Sequence, residues 1–183
     1  MSYMTVETTN LYGSSCFSLQ DDTKDIQNGA IVGKGDLVEG EKSIYKVTSD
    51  VSGGMYLVAN PAWSYNDNSV TDQNEENYIN VAGVPFRVYD LKVNSKYKIG
   101  NLPSSVTISK GDFIKYDYAS GEYAVDSTGK SGLKVVDVEE IGFPYCIGSY
   151  GVQVTGDSAN KYGYAIDTRN TKYTIEVVPV AAD

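Results

Sequence analysis

The sequence predicts an all-β protein, a small β-barrel or β-sandwich with an extended N-terminal arm. Three observations carry that expectation. Several stretches rich in β-branched and aromatic residues alternate polar and apolar with a period of two, as half-buried strands do. Gly, Asn, Asp and Ser gather between these stretches and supply turn chemistry. No stretch repeats its apolar residues with the 3.6 period of a helix.

Residues 1 to 27 are rich in Thr, Ser, Asp and Gln, and Leu11, Tyr12, Phe17 and Leu19 punctuate them without helical or alternating order. This predicts an extended arm with too little apolar surface to bury itself. The β body then covers residues 28–183, as one unit or as two sub-barrels. Its strands are read at Ser43–Thr48, Met55–Pro61, Phe86–Val93, Asp112–Asp117, Leu133–Glu139 and Tyr173–Val178. Turns are read at Asp50–Gly54 and Asp126–Gly132. A tight hairpin is read at Tyr118–Tyr123, around Ala119-Ser120-Gly121. The form apolar-x-Lys-Gly-Asp-apolar-apolar occurs twice, at Val32–Val38 and Ile108–Ile114. It reads as a glycine turn feeding a strand, in preference to a Lys-Gly-Asp adhesion loop.

Composition excludes several function classes. The chain has 183 residues and no His, which removes Ser-His-Asp and Cys-His nucleophiles and histidine zinc sites. Cys16 and Cys146, its 2 cysteines, lie far apart and in no metal-binding spacing. With 24 acidic against 15 basic residues the net charge is −9, unsuited to holding phosphate backbones. No nucleic-acid partner is therefore expected. No signal-like start, apolar span or Asn-x-Ser/Thr sequon is present, so we expect a soluble product, made in a cytoplasm and without a membrane partner.

Candidate chemistry is weak throughout, and no catalytic, cofactor or metal residue is assigned. Carboxylate pairs occur at Glu39/Glu41, Glu75/Glu76 and Glu139/Glu140, and two carboxylates suffice for a glycosidase. Adjacent residues on a strand point to opposite faces, however, so Glu139 and Glu140 would not share a substrate. The polar run 66–77 lacks the Gly and Glu that an EF-hand loop requires at its sixth and twelfth positions. Gly33-Lys34-Gly35 lacks the third glycine and the helix start of a phosphate cradle. Trp63 with Tyr65 could stack on a sugar as a loop platform, or Trp63 could plug the core.

The N-terminal arm, Asn28–Val32 running into Gly35–Glu41, Met55–Pro61, Tyr65, Ala82–Tyr89, Lys110–Ile114, Val135–Glu139 and Tyr173–Val178 follow one another in a telling order. That order resembles the head decoration, or capsid cement, proteins of tailed bacteriophages, in the form common among phages of Gram-positive hosts. The Gly- and Tyr-rich stretch 147–168 departs from it. The resemblance implies a non-enzymatic protein that binds the outside of an assembled capsid, with the major capsid protein as partner. It implies a homo-oligomer, a trimer in related cement proteins, assembled in the host cytoplasm and residing on the virion surface. Leu11, Tyr12, Phe17 and Leu19 would be the capsid contacts, ordered when the arm docks. The alternative is a carbohydrate- or receptor-binding β module of a phage or bacterial surface.

Overall fold

The computed structural model describes residues 3–11, 13–61, 78–104, 107–140, 145–147, 163–165 and 171–180. Among these residues every regular element is a strand. Five strands close into a barrel in the order β2 (Cys16–Gln20), β4 (Ile44–Thr48), β3 (Ile31–Leu37), β5 (Tyr56–Val58) and β6 (Phe86–Asp90). Every pair is antiparallel except β2 with β4, which run parallel. Closure removes the free edges that a five-stranded sheet would otherwise present.

A second unit is a four-stranded antiparallel sheet, ordered β1 (Thr5–Asn10), β7 (Lys96–Gly100), β13 (Thr171–Val177) and β10 (Leu133–Glu140). The hairpin of β8 (Ile114–Asp117) and β9 (Glu122–Val125) packs beside it. Strands β11 (Tyr145–Ile147) and β12 (Gly163–Ala165) form a separate antiparallel pair. Most of the 147–168 stretch lies outside the described residues, as does Asn74–Asn77.

Two cores follow from this layout. Inside the barrel, Leu19, Ala30, Val32, Val58, Phe86 and Val88 are buried together with Ile26. Under the sheet, Met4, Tyr97, Ile99, Ile114, Tyr123, Leu133, Val135, Ile175 and Val177 form the larger cluster. Ile31 and Leu57 belong to this second core although they sit on barrel strands β3 and β5, where they pair with each other. Their neighbours Val32 and Val58 point the other way, into the barrel. These strands are buried on both faces, which explains why Ile31-Val32 and Leu57-Val58 read as apolar runs instead of alternating.

The arm expected over residues 1–27 is corrected by this structure. Residues 5–10 pair with β7, and residues 16–20 lie between β4 and β6 as a barrel strand. Met4 and Leu19 are 0% exposed. The division at residue 27 therefore separates no arm from a body. Strand β1 looks polar because it is the sheet's edge, where only alternate side chains meet the core. In β2 the Phe17-Ser18-Leu19 alternation is real but too short to stand out.

The two Lys-Gly-Asp echoes take different forms. In β3, the four residues from Lys34 to Leu37 oppose the three from Val47 to Tyr45, a β-bulge that bends the strand. In the second copy, Gly111 has a φ of 98°, and the Asp112 carboxylate accepts from the Ser109 N–H at 2.8 Å to close a turn. Gly33 serves close approach: a Cβ there would overlap the Asp50 carbonyl.

Candidate functional site

Of the four residues expected to touch a capsid, the three that are described do not form one surface. Leu19 is fully buried in the barrel core, so it anchors the chain to itself. Leu11 is half-buried against the sheet core. Phe17 is half-buried at one end of the barrel, and Tyr12 lies outside the described residues. Trp63, Tyr65, Glu75, Glu76 and the 66–77 run lie outside them too.

Phe17 belongs to an aromatic cluster packed against the barrel core. Its ring meets Tyr56 edge-on at 5.0 Å and Tyr45 at 6.3 Å. Lys34, one step beyond Val32 on the inward side of β3, lays its ammonium 3.7 Å from the Tyr45 ring centroid. Cation–π attraction therefore covers the Tyr45 face that a sugar would need.

A second cluster ties the β8–β9 hairpin to the segment after β2. The Tyr118 hydroxyl donates to the Asp21 carboxylate, and Lys24 donates to the Tyr118 carbonyl while stacking 3.5 Å from its ring centroid. Burial opposes ionisation of Asp21. The hydroxyls of Thr23 and Tyr118 and the N–H groups of Thr23 and Lys24 outweigh it, holding the carboxyl below its ordinary value. Burial, joined by the bond to Asp21, pushes the Tyr118 phenol up. Every polar group here is used internally, so the cluster is a latch.

The acidic pairs are dispersed. Glu139 bonds Lys98 at 2.7 Å on the outer face of the four-stranded sheet. Glu7 pairs with Lys172 on the same face, so each ion pair reaches across an intervening strand. Lys96 with Glu176 and Lys110 with Asp137 extend this ladder of partly exposed pairs, each worth at most about 1 kcal/mol. Glu39 and Glu41 flank Gly40 in an exposed turn. Among the described residues no group of three or more Cys, Asp or Glu side chains is placed to hold a metal ion.

An amphipathic groove of about 560 Å³ lies beside the barrel. Pro61, Ile79, Val81, Val84 and Pro85 give it apolar walls, and Asn60, Asn80 and Arg87 give it polar ones. Its base is an asparagine network. Asn28 Nδ2 donates to the Asn60 carbonyl at 2.9 Å, and Asn28 Oδ1 accepts from the Asn60 N–H at 3.0 Å. Asn80 Nδ2 donates to the Ile26 carbonyl at 2.9 Å and to Asn28 Oδ1 at 3.2 Å. Sequence reasoning missed this site because its walls come from two stretches far apart in the chain, 60–61 and 78–87. The cue it held was two valines, Val81 and Val84, flanking Gly83 in a turn-like stretch.

Comparisons of the chain with protein-family models, with curated proteins and with solved structures find no match. Among the described residues no helix is long and apolar enough to cross a membrane.

Proposed function

We propose that this chain is a non-enzymatic structural protein that binds the outside of an assembled phage capsid and stabilises it. The observation that carries the reading is where the stretches resembling the cement proteins lie. Residues of Asn28–Val32, Met55–Pro61 and Ala82–Tyr89 form β3, β5 and β6, consecutive neighbours in the barrel. Residues of Val135–Glu139 and Tyr173–Val178 form β10 and β13, neighbours in the sheet.

On this reading the partner is the major capsid protein, and the working place is the outer virion surface. Many copies on one shell reinforce it through modest contacts at each site. Contact is made by the folded body, because β1 and β2 are built into it. The test is co-sedimentation of the purified chain with shells assembled from the major capsid protein of the same genome. Saturable binding, with shells that then resist heating to a higher temperature, is expected. Shells that sediment alone would overturn the proposal. Analytical ultracentrifugation of the free chain reads the trimer that the resemblance implies.

A further inference from the structure

We infer that the groove beside the barrel is a docking site for an extended protein segment carrying an aliphatic side chain next to a carboxylate. The inference stands on the groove alone and holds whatever larger body the segment belongs to.

The apolar wall is presented at a cost in exposure. Val81 and Val84 are each 54% exposed, yet the turn carrying them is held firmly. The Val84 N–H donates to the Val81 carbonyl at 3.2 Å, the Gly83 N–H to the Asp21 carbonyl at 2.7 Å, and the Ala82 N–H to Asp25 Oδ1 at 2.9 Å. A turn free to relax would fold these valines inward. A turn fixed by three hydrogen bonds holds them out as a preformed apolar ledge, so little ordering cost remains when a partner covers them. Lone exposed valines are ordinary, but a fixed pair beside an open groove is a contiguous patch.

Of the polar groups at the groove, Arg87 gives the occupant its chemistry, since Asn80 is committed below. Asn80 is 4% exposed and lines the groove. Its Nδ2 is committed to the Ile26 carbonyl and Asn28 Oδ1, so the other end of the amide, Oδ1, is left over. That buried oxygen has no hydrogen-bond partner among the described residues. The oxygen is closed off from solvent, so Asn80 serves the network beneath the groove and the occupant is read from Arg87. Among the described residues Arg87 is the only cationic one lining the groove; it is exposed and forms no ion pair with them. Its planar fork of donors matches a carboxylate in two parallel bonds. In a chain of net charge −9, an uncommitted guanidinium beside an apolar ledge selects an acidic, aliphatic segment. A purely apolar occupant would leave the guanidinium unused, and a basic one would be repelled.

The experiment titrates the isotope-labelled full chain with acetyl-Gly-Leu-Asp-Gly-amide and with its Leu-Asn counterpart, followed by NMR. The methyl signals of Ile79, Val81 and Val84 and the Arg87 Nε–H are expected to shift saturably with the acidic peptide. The neutral peptide is expected to bind about tenfold more weakly, the loss of one charge-assisted pair. Arg87→Ala should abolish that difference, and Val84→Lys should abolish binding. Both positions are exposed, and an unchanged amide spectrum elsewhere verifies that each variant folds. The inference is overturned by any of three results: no saturable shift, equal binding of the two peptides, or binding indifferent to Arg87→Ala. Cross-peaks in the free protein from the Val81 and Val84 methyls to residues 62–77 would also overturn it, by giving the groove to the chain's own segment.

Discussion

Tyr97 and Tyr123 sit in the sheet core almost without exposure, and Tyr116 packs against both cores. The Tyr123 hydroxyl donates to the Gly29 carbonyl at 2.6 Å, at the junction of sheet and barrel. Burial raises all three phenols, Tyr116 from an ordinary 10 to about 12. A raised phenol pKa means that the folded state resists ionisation. The stability this contributes is complete below pH 10 and is lost as pH rises above it, by about 1.4 kcal/mol per pH unit for each such phenol. Urea unfolding followed by circular dichroism should therefore hold steady up to about pH 10 and fall steeply beyond it. Phenolate absorbance should rise together with unfolding. An acidic counterpart is Asp126, held at about 2 by the Thr128 hydroxyl and by the N–H groups of Thr128 and Ser131, so that turn is at full strength above pH 4 and weakens toward pH 2.

At the scale of elements, β2 is where the structure departs most from what the sequence suggests. Five residues with two apolar side chains give little periodic signal, and their pairing partners are distant, Ile44–Lys46 on one side and Phe86–Tyr89 on the other. Nothing local announces a parallel partner more than twenty residues away. Strands β4, β6, β8, β10 and β13 were legible because each combines alternation with a nearby turn. The β8–β9 hairpin was legible for the same reason: Asp117 accepts from the Ser120 hydroxyl and the Ala119 N–H, and Gly121 takes a φ of 76°. Leu19→Ala separates an arm from a barrel strand. In the barrel it removes a fully buried side chain and should cost about 2–5 kcal/mol in a urea titration. A free arm residue would cost almost nothing.

Across the whole molecule, the two cores share a wall. Ile31 and Leu57 face the sheet while Val32 and Val58 face the barrel, all from the same two strands. Neither core can lose its packing without exposing the back of the other, so a single cooperative transition is expected. Fluorescence and far-ultraviolet dichroism should trace coincident unfolding curves, and two separated midpoints would show that the units melt independently. The sequence carried the class of this architecture but not its division. Composition and period specify strands, whereas which strands share a core depends on the faces of β3 and β5, and a doubly buried run does not declare which side is which. The groove was illegible for a related reason, since Asn28, Asn60 and Asn80 meet only after the barrel closes.

Strand order also sets a timetable for the growing chain. The barrel can close once residue 90 is available, because its last strand is β6. Strand β1 precedes the barrel in the chain but lies in a sheet that is complete only when β13 arrives at residues 171–177. Its own partner β7 is in place by residue 100, so β1 joins a sheet that is still unfinished at the far edge. Until β13 arrives, the core that Met4 and Val6 join lacks Ile175 and Val177, and the early-closing barrel is the finished scaffold beside it.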